Sequence, residues 1–421
     1  MDSGQGGSKV TLPTVRVRVV ILAAMITHTH LLILGGASDL AGRLLLPGLA
    51  DFLATTSRAE AERVRITAVG RSELDDYAGF VREAVGGELG DVLAAHATYV
   101  SADATSAEDL GELIASTRDD EHLIVYYALA PAITYESVQA LSQCTLPEGA
   151  ILALEKPLGT DAASAAALEE AGRGIVDKHH LYRIDHFLYE PAVVAAVDTL
   201  RERAGLRAVL NSEEIERLEI VYEEDLALEG RAAFYDSSGA VEDMVQSHLL
   251  QTMAHLLAGG DRERVAEILE HATVDLSRTR RGRYTAGELP DGPVPNYLDE
   301  EGVDPANDTE TFTEKIVEVD TPQWRGSEIL LRTGKAIGNP RQDITAHLRD
   351  SPAQLRVAFN GRGTANGPYA RLTKSLLTGE DVREVPAGTP ELAWKVVKPV
   401  LDAFAEDDIA MENYSAGSGG L

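Results

Sequence analysis

Leu31-Leu32-Ile33-Leu34-Gly35-Gly36-Ala37-Ser38-Asp39-Leu40-Ala41-Gly42-Arg43 decides how the first part of the chain is read. Four consecutive apolar residues running into Gly35-Gly36 predict a fully buried parallel strand. Leu40, Leu44, Leu45 and Leu49 then recur at helical spacing. A strand that turns on small residues into a helix is a place for a pyrophosphate. The backbone approaches closely there, and the helix N-terminus supplies amide donors. Gly35, Gly36, Ser38 and Ala41 hold the turn positions, but Ser38 stands where a second glycine is usual, so a plain tight turn fits as well. Asp39 and the polar positions near it also read as helix-cap residues.

Val64 to Gly70, Leu123 to Ala128 and Ile151 to Leu154 read as further strands separated by helical patterns, which predicts a doubly wound sheet. The second strand ends in Gly70-Arg71-Ser72, where an acidic residue would bind the ribose hydroxyls of NAD. A cation and a hydroxyl there suit a ribose 2′-phosphate, hence NADP; the plain alternative is a solvated arginine. Beyond about residue 155 the texture changes to longer helices and separate strands such as Glu216 to Tyr222 and Glu328 to Thr333. The expectation is α/β plus α+β: an extension over 1–28, a Rossmann dinucleotide-binding domain over 29–155, and a larger domain over 156–421. Residues 285–308, rich in Gly, Pro, Asp and Glu, read as an irregular loop, and 415–420 as a flexible or loosely docked tail.

Composition narrows the function classes. With 38 basic against 68 acidic residues the net charge is −30, which argues against a nucleic-acid partner. An anionic substrate would need a locally basic pocket. Cys144 is the single cysteine, so neither a disulfide framework nor a cysteine metal cluster is expected, and a cytoplasmic location fits. No apolar run approaches the roughly 20 residues that span a bilayer, so no membrane partner is expected.

Two carboxylate–histidine segments carry the chemistry. One is Arg183-Ile184-Asp185-His186; the other runs from Asp243 to His248 in VEDMVQSHLLQ. Histidine takes a proton near neutral pH, and a buried carboxylate fixes its tautomer and stabilises its charged form. Downstream of a nucleotide turn, this suggests base-assisted hydride transfer from a hydroxyl. Glu155-Lys156-Pro157-Leu158-Gly159 puts a lysine at a strand end, in the crevice where open α/β sheets bind ligands. A surface turn is the bland alternative, and Lys156–Pro157 is a candidate cis bond. Asp243 reads locally as an N-cap with Gln246 as its reciprocal partner, and Gly259-Gly260 as the helix stop. His255 reads as a satisfied interface histidine, whereas His248 stands out beside the other segments.

Taken together these segments resemble the glucose-6-phosphate dehydrogenase family. The matching motifs are RIDH, EKPLG, EGRAAFYDSSGAVEDMVQSHLLQ (Glu229 to Gln251), LLRTGKA (Leu330 to Ala336) and the C-terminal YSAGSGG, in family order. The resemblance implies a dinucleotide-binding domain followed by a larger domain on an antiparallel sheet, commonly assembled as a homodimer or homotetramer. It implies His248 as general base toward the sugar C1 hydroxyl, Asp185 as the carboxylate orienting it, and Lys156 as a catalytic and cofactor contact. His186, Glu224, Asp243 and Lys335 would bind the small-molecule sugar phosphate. Gly35, Gly36, Ser38, Asp39, Leu40 and Arg71 would bind NADP, and no metal is required.

The chain departs from the family where the pattern RIDHYLGKE becomes RIDHFLYEP. Phe187 replaces a tyrosine and Glu190 a lysine. A carboxylate about 4 Å from a phosphate would repel it by a few kcal/mol at intermediate dielectric. Arg183, Lys335 and Arg341 are the cations weighed as compensation. Three functions are therefore compatible with the sequence: oxidation of glucose 6-phosphate by NADP, oxidation of an unphosphorylated or modified aldose in a specialised pathway, and a non-catalytic sugar-phosphate-binding homologue.

Overall fold

The structure, a computed structural model, describes residues 26–228, 230–359 and 367–421. Residues 1–25 of the expected extension, and Glu229 of the quoted motif, lie outside the described residues.

The first sheet has six strands in the order β3-β2-β1-β4-β5-β6. They are β1 (Thr29–Leu34), β2 (Val64–Gly70), β3 (Ala97–Ser101), β4 (His122–Tyr127), β5 (Ile151–Glu155) and β6 (Leu181–Ile184). Every pairing is parallel. Leu31 and Ile33 pack into one core with Leu45, Leu49 and Ile66, while Leu32 and Leu34 pack into another with Leu110, Val125 and Leu141. Helices therefore cover both faces of β1, which is why its sequence is unbroken apolar residues with no alternation. The strand order reverses between β1 and β4, which opens the ligand crevice at the carboxyl ends of the strands. β6 lies beyond residue 155, because the helix Ala162–Arg173 is a crossover that returns the chain to the same sheet.

The second sheet has the order β14-β13-β7-β12-β11-β8-β15. Its strands are β7 (Ile215–Glu223), β8 (Ala272–Thr285), β11 (Phe312–Val319), β12 (Glu328–Gly334), β13 (Gln342–Leu348), β14 (Gln354–Ala358) and β15 (Met411–Ser415). It is mixed where an antiparallel sheet was expected: β7–β12 and β8–β15 pair in parallel. Helices pack on it through Ile220, Val245, Leu249, Met253, Ile329, Leu331, Trp394 and Val397. Among the described residues no helix is long and apolar enough to cross a membrane.

One expectation is corrected here and another is narrowed. Residues 285–308 hold a hairpin, β9 (Gly287–Leu289) with β10 (Gly292–Val294), and two short helical turns. The buried Asp236 carboxylate organises that segment, accepting from the Tyr297 hydroxyl, Asp304 N (2.9 Å) and Asn307 Nδ2 (2.7 Å). The glycine-rich tail is docked: Gly417 N donates to Ala336 O (2.9 Å) and Gly338 N to Ser418 O (2.8 Å).

Candidate active site

The carboxyl edge of the first sheet delivers two of the segments. β5 ends at Glu155, followed by Lys156 and a cis peptide bond to Pro157; β6 ends at Ile184, followed by Asp185 and His186. The third segment arrives on a helix, π-wound over Val241–Leu249 and continuing as the α-helix Leu250–Leu257. Its apolar stripe of Val245, Leu249, Met253 and Leu256 is buried against the second sheet's core, which turns His248 toward β6.

His248 Nδ1 and Asp185 Oδ1 share a hydrogen bond, and both side chains are 2% exposed. Burial pushes the Asp185 carboxyl up, but the His248 ring beside it wins and holds it below the usual carboxylate range. Asp185 also accepts from Phe187 N at 3.0 Å. The Phe187 ring stacks on the His248 ring at 4.1 Å between centroids and 10° between planes, which fixes the plane of the imidazole. His186 meets the His248 ring edge-on at 4.5 Å, and burial with the neighbouring His248 holds His186 well below its ordinary pKa, so it is neutral.

Lys156 Nζ donates to Asp243 Oδ1 (2.8 Å) and Asp243 O (3.1 Å). Asp243 is therefore not the N-cap its local pattern suggested. The helix is already wound at residues 239–240, and the Glu310 carboxylate accepts the Val241 N–H at 2.8 Å in the capping role. Burial opposes charge on both members of the Lys156–Asp243 pair, yet their mutual attraction keeps the lysine pKa up and the aspartate pKa down. Lys335 lies close enough to add to the pull on Asp243, and its Nζ donates to Glu224 Oε2 at 2.6 Å. Lys156, Asp185, His186, Glu224, Asp243, His248 and Lys335 thus form one connected cluster.

The remaining sequence-derived positions lie at the other end of the crevice. Gly35 has φ +82°, and a Cβ there would come within 2.2 Å of Ala128 O; one on Gly36 would meet Ala68 Cβ at 2.4 Å. Both positions require glycine to keep the turn tight. Ser38 Oγ, and not Asp39, caps the helix, accepting from Ala41 N at 3.3 Å. The first-turn amides of Asp39 and Leu40 have no acceptor within their own helix. Arg71 is exposed just past β2, its loop held by Ser101 Oγ donating to Arg71 O (3.2 Å) and Tyr99 OH donating to Ser72 O (2.7 Å). A helix N-terminus, a close-approach turn and an exposed arginine together form a donor set that fits a phosphorylated dinucleotide.

Sequence reading missed Tyr369 and Glu155. Tyr369, on the helix Pro368–Thr378, stacks on His186 (5.2 Å, 29°) and donates to Glu155 Oε1 (3.2 Å). Tyr126 donates to the same oxygen, and burial pushes the Glu155 carboxyl up to about 7. Gly48 allows this helix to press onto the nucleotide-binding half, since a Cβ there would sit 2.3 Å from Tyr369 Cβ. Glu155 was legible beside Lys156, but nothing local flags Tyr369.

Of the cations weighed as compensation, Lys335 alone belongs to the cluster. Arg183 pairs with Glu169 and Glu384, and Arg341 with Glu219 and Asp343. Glu190 is buried, and burial raises its pKa to about 7 against the opposing charge of Arg371, so the repulsion expected of it is reduced, not abolished, near neutrality.

Comparison with known proteins agrees with this arrangement. The family model described as glucose-6-phosphate dehydrogenase, NAD binding domain, matches residues 32–194, and that of the C-terminal domain matches 203–366. A glucose-6-phosphate 1-dehydrogenase from Mycolicibacterium smegmatis is 30% identical, over 85% of this chain and 77% of its own. One from Gluconobacter oxydans is 28% identical over 92% of this chain and 93% of its own. The crystal structure of the Mycobacterium avium glucose-6-phosphate 1-dehydrogenase superposes with TM-score 0.78 at 26% identity, covering 94% of this chain and 95% of that one. The chain belongs to the glucose-6-phosphate dehydrogenase family.

Proposed function

We propose that the protein oxidises glucose 6-phosphate at C1 to the lactone, with NADP as hydride acceptor. The observation that carries this reading is the His248–Asp185 hydrogen bond at the carboxyl edge of the nucleotide-binding sheet, next to the Lys156–Asp243 pair. The Asp185 carboxylate accepts the Nδ1 proton of His248, which leaves the Nε2 lone pair to take the C1 hydroxyl proton. As the imidazolium forms, Asp185 stabilises it, and the Phe187 stack keeps the ring from rotating. Lys156, held charged by Asp243, reaches between sugar and cofactor. Asp243, Glu224 and Lys335 hold the sugar, and neutral His186 donates an N–H to its phosphate.

Bound NADP supplies the hydride acceptor. Gly35, Gly36, Ser38, Asp39 and Leu40 would hold its pyrophosphate, and Arg71 its 2′-phosphate. The substrate is supported by the relatives named glucose-6-phosphate 1-dehydrogenase. A cytoplasmic homodimer completes the reading, and the free thiol of Cys144 accords with a reducing compartment.

The test is a panel of free and 6-phosphorylated aldoses followed by NADPH absorbance. Glucose 6-phosphate should be turned over well ahead of glucose. Preference for a free aldose would replace the substrate, and failure of every sugar would indicate a binding protein.

A further inference from the structure

We infer that the C-terminal tail, Tyr414 to Ser418, is a positioning clamp for Lys335, and that Tyr414 is its principal residue. The inference rests on the reading of Lys335 as a substrate contact. The buried Tyr414 hydroxyl donates to Lys335 O at 2.7 Å and meets Thr311 Oγ1 at 2.8 Å, while Lys335 N donates to Thr311 O at 2.9 Å. The hydroxyl thus ties the Lys335 carbonyl to Thr311, the residue whose own carbonyl accepts the Lys335 N–H.

The next residue is strained. Ala336 has φ +55°, a left-handed conformation that a residue with a Cβ adopts only when its surroundings enforce it. Gly417 N donates to Ala336 O (2.9 Å), Ala336 N donates to Leu226 O (2.8 Å), and Ile337 N donates to Glu224 O (2.9 Å). The last of these fixes the residue whose carboxylate receives the Lys335 ammonium.

The tail reaches this turn only because the facing positions lack side chains. A Cβ on Gly338 would lie 2.0 Å from Gly417 O, one on Gly287 2.0 Å from Ala416 O, and one on Gly417 2.0 Å from Glu288 O. The composition that resembles a flexible linker is here the requirement for backbone-to-backbone packing. The Tyr414 side chain touches the main chain of Lys335 and not the ammonium. It sets where the ammonium sits, so sugar binding depends on it while the hydride step does not.

The test compares the full chain with Tyr414→Phe and Gly417→Ala. Tyr414→Phe should raise KM for glucose 6-phosphate by about 5-fold, the worth of one hydrogen bond, with kcat and KM for NADP held to within about twofold. Gly417→Ala should do the same or more. A second readout needs no turnover: acylation of Lys335 by an amine-reactive acetate ester, followed by peptide mass spectrometry, should run several-fold faster in Tyr414→Phe. Unchanged KM with unchanged acylation overturns the proposal, and so does a fall in kcat that matches the rise in KM for both substrates. If the unaltered protein does not oxidise glucose 6-phosphate, the functional reading fails, and the acylation rate alone decides the clamp.

Discussion

His248 and Asp185, 63 residues apart in the chain, meet through a hydrogen bond where the last parallel strand of one sheet faces a helix packed on the other. Neither sheet contains the pair by itself. The proposed base and the nucleotide crevice are brought to one place because the helix Val241–Leu249 buries its apolar stripe in the second sheet's core. Proximity and tautomer are thereby fixed by packing.

Replacing Asp185 by Asn keeps the shape but removes the charge that stabilises the imidazolium and selects its tautomer. The expected outcome is a fall in kcat of about 10²–10⁴-fold, with KM for NADP little changed. Steady-state kinetics in both substrates checks this; a loss confined to KM would assign Asp185 to binding.

Arg71→Ala should weaken NADP by about 10-fold or more while leaving NAD nearly unaffected, since only the former carries the 2′-phosphate. Dissociation constants for the two cofactors decide it. Equal losses would remove Arg71 from the phosphate contact.

Glu190 gives a pH signature in stability. Its carboxyl rises from 4.5 to about 7 on folding, mainly through burial. Between those values the folded state holds more protons than the unfolded one, so its contribution to stability falls as pH rises through that window. Glu190→Gln should therefore be more stable than the parent at pH 8, by about 3 kcal/mol, and closely matched at pH 4.5. Urea midpoints at the two pH values measure the difference; a gain that is the same at both would mean that the carboxyl does not titrate in this window.

Glu190→Lys should lower KM for glucose 6-phosphate if the side chain borders the phosphate, as its place in the motif suggests. KM measured at pH 7 and pH 8 checks it, with the larger improvement expected at pH 8, where more of the parent carboxyl is ionised. No change at either pH would turn Glu190 away from the substrate.

What could be read in advance follows from how local each signal is. β1 was legible because a strand buried on both faces writes its burial as an unbroken apolar run. His248 and Asp185 were each legible as chemistry, but their partnership came from family resemblance. Asp243 was misread because D-x-x-Q is a local capping pattern, whereas the true cap, Glu310, reaches in from another strand's approach. Tyr369 had no local signal, since its role depends on Gly48 letting one helix settle on another. The tail was left between flexible and loosely docked because Gly and Ser signal flexibility in isolation, and only the facing turn shows that they are needed for close contact.

The role of His248 as base is decided by the turnover of His248→Ala with glucose 6-phosphate and NADP. The expected kcat is lower by about 10²–10⁴-fold, with cofactor affinity essentially that of the parent. Turnover near the parent rate would contradict it, because the neighbouring Lys156 and Lys335 are paired with Asp243 and Glu224 as cations and have no lone pair for the C1 proton.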